Sequence, residues 1–317
     1  METAFLFPGQ GAQAVGMGVE IARSFPAAAA IFQKADNIIG FDLSKLCFEG
    51  PIEQLNTTTM SQPAIFVTSV AILEVVRTNP ATSNISPDVT AGLSLGEYTA
   101  LYAAGVIGFE DALLLVKKRG EAMQAAADAA GGSMVGIIGL DETTVRQLCA
   151  QAGDGELLLP VNFNCPGQIV VSGTKAACLR AEQFAAKYGA MKTVRLDVAG
   201  AFHTELMSSA ADALSEALSY CRISDPSGIR TIASTNAQYY GSAEEVAQGL
   251  VKQLTSPILW QKCMERLVAD GVKKFYEIGP GRVLTGLMRR IDRKARIVNV
   301  SSLDSLMELV SAQPFTA

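Results

Sequence analysis

Short β-branched and aromatic runs alternate along this chain with longer stretches rich in Ala, Leu, Glu and Lys at helical spacing. The short runs are Ala4–Phe7, Val89–Gly92, Gln168–Ser172, Thr193–Val198, Arg230–Ser234, Lys274–Ile278 and Arg296–Val300. The helical stretches include Phe109–Ala127, Thr174–Tyr188, Glu205–Tyr220 and Glu244–Leu254. Strands joined through helices pair in parallel, so the alternation predicts an α/β protein with a largely parallel sheet. One region breaks the pattern. It reads strand (Ser133–Ile138), helix (Glu142–Ala152), strand (Leu157–Asn162), strand (Gln168–Ser172), helix, strand, which is the β-α-β-β-α-β order of a ferredoxin-like unit. Gly131-Gly132 supplies an entry hinge. The expected organisation is a discontinuous large domain, 1–130 and 199–317, with a small subdomain, 131–198, inserted into it. A cleft at their junction is where a ligand is expected.

The chain has 317 residues, 49% of them apolar, enough for a sizeable core. Its formal charge of −5 argues against nucleic acid as a partner. The greasiest run, Ala64 to Val76, is too short to span a bilayer and carries Glu74, so no membrane segment is expected. The first residues enter a strand-like run without a basic leader. The expected location is the cytoplasm, or an organelle's stroma or matrix where a transit peptide has been removed. Six scattered cysteines lack a C-x-x-C pair and read as reduced, mostly buried thiols. A single histidine cannot build a zinc-ligand set, so no metal is expected.

Chemistry concentrates at Gly92-Leu93-Ser94-Leu95-Gly96. This G-x-S-x-G pattern follows a strand-like run and precedes a helix-compatible one, the context of a nucleophile elbow. A serine needs a base, and His203, at a strand–helix junction, is the only neutral base near pH 7 that the chain offers. No carboxylate stands out as its orienter. Asp197 lies six residues before it on a predicted strand, and a backbone carbonyl or a side-chain amide can hold an imidazole instead. A weaker orienter suits an enzyme that need not activate water. The loop Phe7-Pro8-Gly9-Gln10-Gly11 reads either as a plain glycine turn or as a source of one oxyanion donor, the N–H of Gln10, beside that of Leu95. Arg119 lies five residues after Leu114 and four before Met123 in a helical stretch, so it turns inward with the apolar stripe while Lys117 and Lys118 face solvent. A guanidinium in the cleft would pair with a carboxylate and so select a dicarboxylic acyl group.

Further motifs follow in order: Lys118-Arg119-Gly120, Asn164-Cys165-Pro166-Gly167-Gln168, Gly200-Ala201-Phe202-His203, Gln253-Leu254, Pro257-Ile258-Leu259-Trp260, and Glu277 through Leu284. With Phe7–Gly11 and the longer segment Gly92-Leu93-Ser94-Leu95-Gly96-Glu97-Tyr98 they closely resemble the malonyl-CoA:acyl carrier protein transacylases, stand-alone enzymes of type II fatty-acid synthesis. The resemblance implies an α/β-hydrolase-like core with an inserted ferredoxin-like subdomain. It implies that Ser94 takes malonyl from malonyl-CoA in a ping-pong reaction and passes it to the phosphopantetheine thiol of acyl carrier protein. His203 would act as base and then acid, and the N–H groups of Gln10 and Leu95 would form the oxyanion hole. Arg119 would pair with the malonyl carboxylate. The backbone carbonyl of Gln253 would orient the histidine, and Phe202 would favour malonyl over methylmalonyl. No cofactor and no oligomer are implied: the enzyme is expected to be a monomer that meets its carrier protein transiently. Leu93 stands where many members have histidine, and Cys165 where serine is common.

Carrier proteins of this kind are acidic. The C-terminal third carries Lys273, Lys274, Arg282, Arg289, Arg290, Arg293, Lys294 and Arg296, a local basic excess expected to include the docking surface. The same chemistry serves carrier proteins of polyketide synthesis, and a serine hydrolase can be built on a similar elbow.

Overall fold

A computed structural model of the chain describes residues 1–311. Its strands, in chain order, are β1 (Thr3–Phe7), β2 (Val89–Gly92), β3 (Ser133–Ile138), β4 (Leu158–Cys165), β5 (Gln168–Gly173), β6 (Lys192–Arg195), β7 (Arg230–Thr231), β8 (Lys274–Ile278) and β9 (Arg296–Val300). Five of them form one sheet in the order β7-β2-β1-β8-β9, with every neighbouring pair parallel. β1 and β2 are buried almost throughout, as near-continuous apolar runs in a parallel sheet must be. Successive side chains of β1 point to opposite faces. Phe5 and Phe7 join the larger core, with the helices Thr58–Thr78, Phe109–Ala130 and Ser208–Leu218. Ala4 and Leu6 join a second core with Trp260, Met264 and Leu284. Helical layers therefore cover both faces of the sheet.

The helix Thr58–Thr78 contains the greasiest run of the sequence. It is long and apolar enough to cross a membrane, yet it is packed inside the protein, with 83% of its most apolar window buried. Its polar residues Ser61, Gln62, Thr68 and Ser69 are buried with it.

The remaining four strands form an antiparallel sheet in the order β4-β5-β3-β6. The helices Glu142–Gly153 and Lys175–Ala185 complete the β-α-β-β-α-β order, and their apolar residues pack with Val135, Ile137 and Val171 in a separate core. This sheet is tied to the larger body by two bonds at Ile258, whose N–H donates to Val161 O (2.7 Å) and whose carbonyl accepts from Phe163 N (2.9 Å). A third tie runs from Ser172 Oγ to Phe202 O at 2.9 Å.

Two strands stop short of the sequence expectation, and one helix begins differently. β6 ends at Arg195 rather than Val198: the paired register stops at Val135 opposite Arg195, and after one last bond from Leu196 N to Met134 O (3.0 Å) the chain leaves the sheet, Leu196 and Val198 lining the cleft. β7 ends at Thr231 rather than Ser234, because the chain turns back at Ala233–Gln238 and Ser234 bonds elsewhere. The stretch from Glu205 opens as a short 3-10 turn, Glu205–Met207, before the α-helix Ser208–Leu218.

The elbow depends on close backbone approach. A Cβ on Gly92 would lie 1.9 Å from Gly96 C, and one on Gly96 would lie 2.1 Å from Phe7 O. Neither obstacle is a movable side-chain tip. Gly96→Ala is therefore expected to lower stability by about 3 kcal/mol or more. Gly286→Ala, in an exposed helical position with open space around it, should be neutral or stabilise by about 1 kcal/mol. Thermal denaturation of the two variants checks the contrast.

Candidate active site

β2 delivers the chain into the turn Leu93–Leu95, and the helix Gly96–Ala103 carries it away. Ser94 sits between them at φ 51°, in the left-handed region. His203 is also left-handed, at φ 61°. Each such residue costs about 1–3 kcal/mol and persists only where its surroundings hold it. Around Ser94 the glycine contacts do so. Around His203, the Thr204 hydroxyl donates to Ala201 O (2.7 Å) and accepts from Leu206 N (3.3 Å).

Ser94 Oγ lies 3.0 Å from His203 Nε2, and His203 Nδ1 lies 2.8 Å from the carbonyl of Gln253. A carbonyl only accepts, so Nδ1 carries the proton of the neutral ring and Nε2 turns its lone pair to the serine. Burial, reinforced by the Arg119 charge, pushes the His203 pKa down to about 4. The ring is thus a neutral base at pH 7. Asp197 takes no part in holding it.

Arg119 is 1% exposed. Its Nη1 donates to Gln62 Oε1 (2.7 Å), and its Nη2 donates to Gln253 Oε1 (2.8 Å) and to Ser94 Oγ (3.0 Å). The guanidinium lies 5.6 Å from the Tyr98 ring centre, and its Nε has no partner. Among the described residues no carboxylate is within ion-pair distance of it. Two neutral amide oxygens hold the cation in place without neutralising it. Leu114, used above to place the apolar stripe, is in fact exposed; the stripe runs through Leu115, Arg119 and Met123, each four residues apart.

Gln10, Ser94, Arg119, Phe202 and His203 line one cavity, together with Met123, Met134 and Asn162. Leu95, next in the chain after the lining residue Ser94, is buried, and its N–H, like that of Gln10, makes no backbone hydrogen bond among the described residues. Leu93 lines the cavity with an alkyl side chain, so the position beside the nucleophile is apolar. Cys165 is buried at the β4–β5 turn, 3.8 Å from Gln168 Oε1 and outside the cavity lining. The basic cluster is not one patch. Lys273, Lys274 and Arg296 stand at the starts of β8 and β9, the sheet edge opposite Ser94. Arg290 instead reaches Pro166 O (3.1 Å) and Gln168 Oε1 (3.3 Å) on the small sheet.

Three residues that local patterns did not single out complete the surroundings: Gln62, Ser234 and Glu97. Glu97 is buried and accepts from Ser234 Oγ (2.6 Å), Tyr240 Oη (2.5 Å) and Gln253 Nε2 (2.6 Å). One signal was available: Glu97 is the only charged residue between Asp88 and Glu110.

Because the chain has a single histidine, its imidazole signals in an NMR titration report His203 alone. The ring should stay neutral on acidification through 6.5 and protonate with a midpoint near 4. The unfolded chain binds that proton earlier, so the native state should lose stability as pH falls from 6.5 towards 4. A midpoint at or above 6.5 contradicts the buried, cation-flanked setting.

The family model of the acyl transferase domain matches residues 4–306. The malonyl CoA-acyl carrier protein transacylase of Bacillus subtilis is 42% identical over 304 residues, covering 96% of this chain and 94% of that protein. A malonyl-transacylase solved in complex with a type II PKS acyl-carrier protein superposes with a TM-score of 0.93 at 39% identity, covering 98% of this chain and 99% of that one. The malonyl CoA-acyl carrier protein transacylase of Coxiella burnetii gives 0.94 at 35% identity, covering 99% and 98%. This chain therefore belongs to the acyl transferase domain family, among its malonyl CoA-acyl carrier protein transacylases.

Proposed function

We propose that this chain transfers a malonyl group from malonyl-CoA to the phosphopantetheine thiol of an acyl carrier protein, by a ping-pong reaction through malonyl-Ser94. One observation carries the reading: Ser94 Oγ lies 3.0 Å from a neutral histidine nitrogen and 3.0 Å from a buried guanidinium that has no anion. The first contact makes a nucleophile. The second provides a place for a carboxylate on the acyl group.

In the first half-reaction His203 Nε2 takes the Ser94 proton as Oγ attacks the thioester carbonyl. Negative charge on the carbonyl oxygen falls to the N–H groups of Gln10 and Leu95, each worth about 3–4 kcal/mol in sites of this type. The C–S bond breaks, and the imidazolium returns its proton to the departing CoA sulfur. The second half-reaction is the reverse, with the carrier protein's thiol as nucleophile. Arg119 pairs with the malonyl carboxylate and Phe202 narrows the space beside it against branched acyl groups. The Gln253 carbonyl keeps the imidazole in its working tautomer. Serine, histidine and fixed donors supply all of this chemistry, so no resident cofactor or metal is needed.

The cavity lies between the segment 131–198, taken as the inserted subdomain, and the rest of the chain. Acyl carrier protein docks transiently on exposed arginines of the C-terminal third, Arg282, Arg289 and Arg290, the last of which reaches the small sheet, and the enzyme works as a monomer. Its compartment is that of the carrier protein, the cytoplasm or an organelle's stroma or matrix. Fatty-acid synthesis is the pathway that the resemblance implies. The 39% identical relative solved with a type II PKS carrier protein favours a polyketide client as the second reading, and assays with both carrier proteins separate the two.

Arg119→Ala should reduce malonyl transfer about 100-fold or more, the scale of a lost charge-assisted pair, and reduce acetyl transfer far less. In the same assay, added salt should raise the KM for carrier protein. Equal losses for malonyl and acetyl would refute the carboxylate role, and a salt-insensitive KM the docking surface.

A further inference from the structure

Glu97 is a carboxylate buried to 1% exposure on the first turn of the helix that follows Ser94, and no step above uses it. Such a group is retained only where its oxygens are fully occupied. They are. Oε1 accepts from Tyr240 Oη, and Oε2 accepts from Ser234 Oγ and from Gln253 Nε2 at 2.6 Å each. Every partner is a donor and none is a cation.

Gln253 is the informative partner. A primary amide can be placed with its oxygen and nitrogen in either of two positions. Here Nε2 faces three acceptors, Glu97 Oε2, the Ser94 carbonyl (3.1 Å) and Ser234 Oγ (3.3 Å). Oε1 faces Arg119 Nη2, which can only donate. The amide is thus clamped between a buried carboxyl group and a buried cation. The same residue's backbone carbonyl holds His203. A reversed amide would turn N–H bonds towards a guanidinium, and Arg119 would lose one of its two amide anchors, the other being Gln62.

We infer that Glu97 is a positioning residue for acyl selection, fixing the polarity of the Gln253 amide so that Arg119 is held ready for a substrate carboxylate. This rests on the transferase reading given above. The effect passes through hydrogen bonding, and the negative charge itself is not required. An isosteric amide at position 97 still offers an oxygen to Gln253 and Ser234.

The test uses the full chain with malonyl-CoA and acetyl-CoA as donors and reads the ratio of their kcat/KM values. Glu97→Met keeps the volume and removes the acceptor, and it should lower the malonyl-to-acetyl ratio about ten-fold or more. Glu97→Gln should keep the ratio within about three-fold of the unaltered protein. Gln253→Met should reproduce the loss, and the double variant should be no worse than Gln253→Met alone, because the two residues act in series. If Glu97→Met does not fold, Glu97→Gln and Gln253→Met still decide the matter. A ratio that is unchanged, because both donors fall together, makes Glu97 purely structural and overturns the inference. A ratio raised in both Glu97 variants also overturns it, since it would mean that the carboxylate acts as a counter-charge. An unaltered protein without malonyl preference would instead refute the transferase reading, and an Arg119→Ala control identifies that case.

Discussion

A cation buried without an anion beside it is the most expensive feature of this molecule. Desolvating a guanidinium costs several kcal/mol even after relaxation, and Arg119 recovers part of that through Gln62, Gln253, Ser94 and the Tyr98 ring. A stability-driven design would place a carboxylate in contact with it. The nearest buried one, Glu97, is kept one residue away, on the far side of the Gln253 amide. The arrangement makes sense if the missing anion arrives with the substrate. The elbow after the parallel sheet and the segments of the antiparallel sheet both contribute residues to the lining of that site.

The acid–base half has a matching economy. A carbonyl orients His203 where hydrolases commonly use a carboxylate, so the imidazolium formed during reaction gains less stabilisation. The positive charge of Arg119 pushes in the same direction, disfavouring a second cation nearby. Both favour a base that returns its proton quickly to a departing thiolate. Thiol-to-thiol transfer asks for that, and activation of water does not.

Much of this is legible in the sequence, for reasons that differ by residue. Ser94 is visible because the strand, the sharp turn and the helix are all local, and the glycines flanking it leave a pattern. His203 is visible by elimination, being the only histidine. Arg119 is visible as a basic residue in an apolar stripe, although Leu114 was a misleading neighbour and Leu115 the true one. Gln253 is not readable from its surroundings, since its contribution to His203 is a backbone carbonyl that any residue type possesses; only the family resemblance pointed to it. Gln62, Ser234 and Glu97 depend on pairings across 57 to 156 positions of chain, which no local window contains. The shortened β7 has the same cause, because Ser234 leaves the sheet to bond Glu97.

The central claim is that Ser94 carries the acyl group between two thiols. Mass spectrometry of the intact protein after brief exposure to malonyl-CoA tests it most directly. The account predicts one malonyl adduct, mapped by peptide analysis to Ser94, absent in Ser94→Ala, and discharged onto carrier protein when that is added. An adduct on another residue, or discharge to free malonate at the same rate with and without carrier protein, would contradict it.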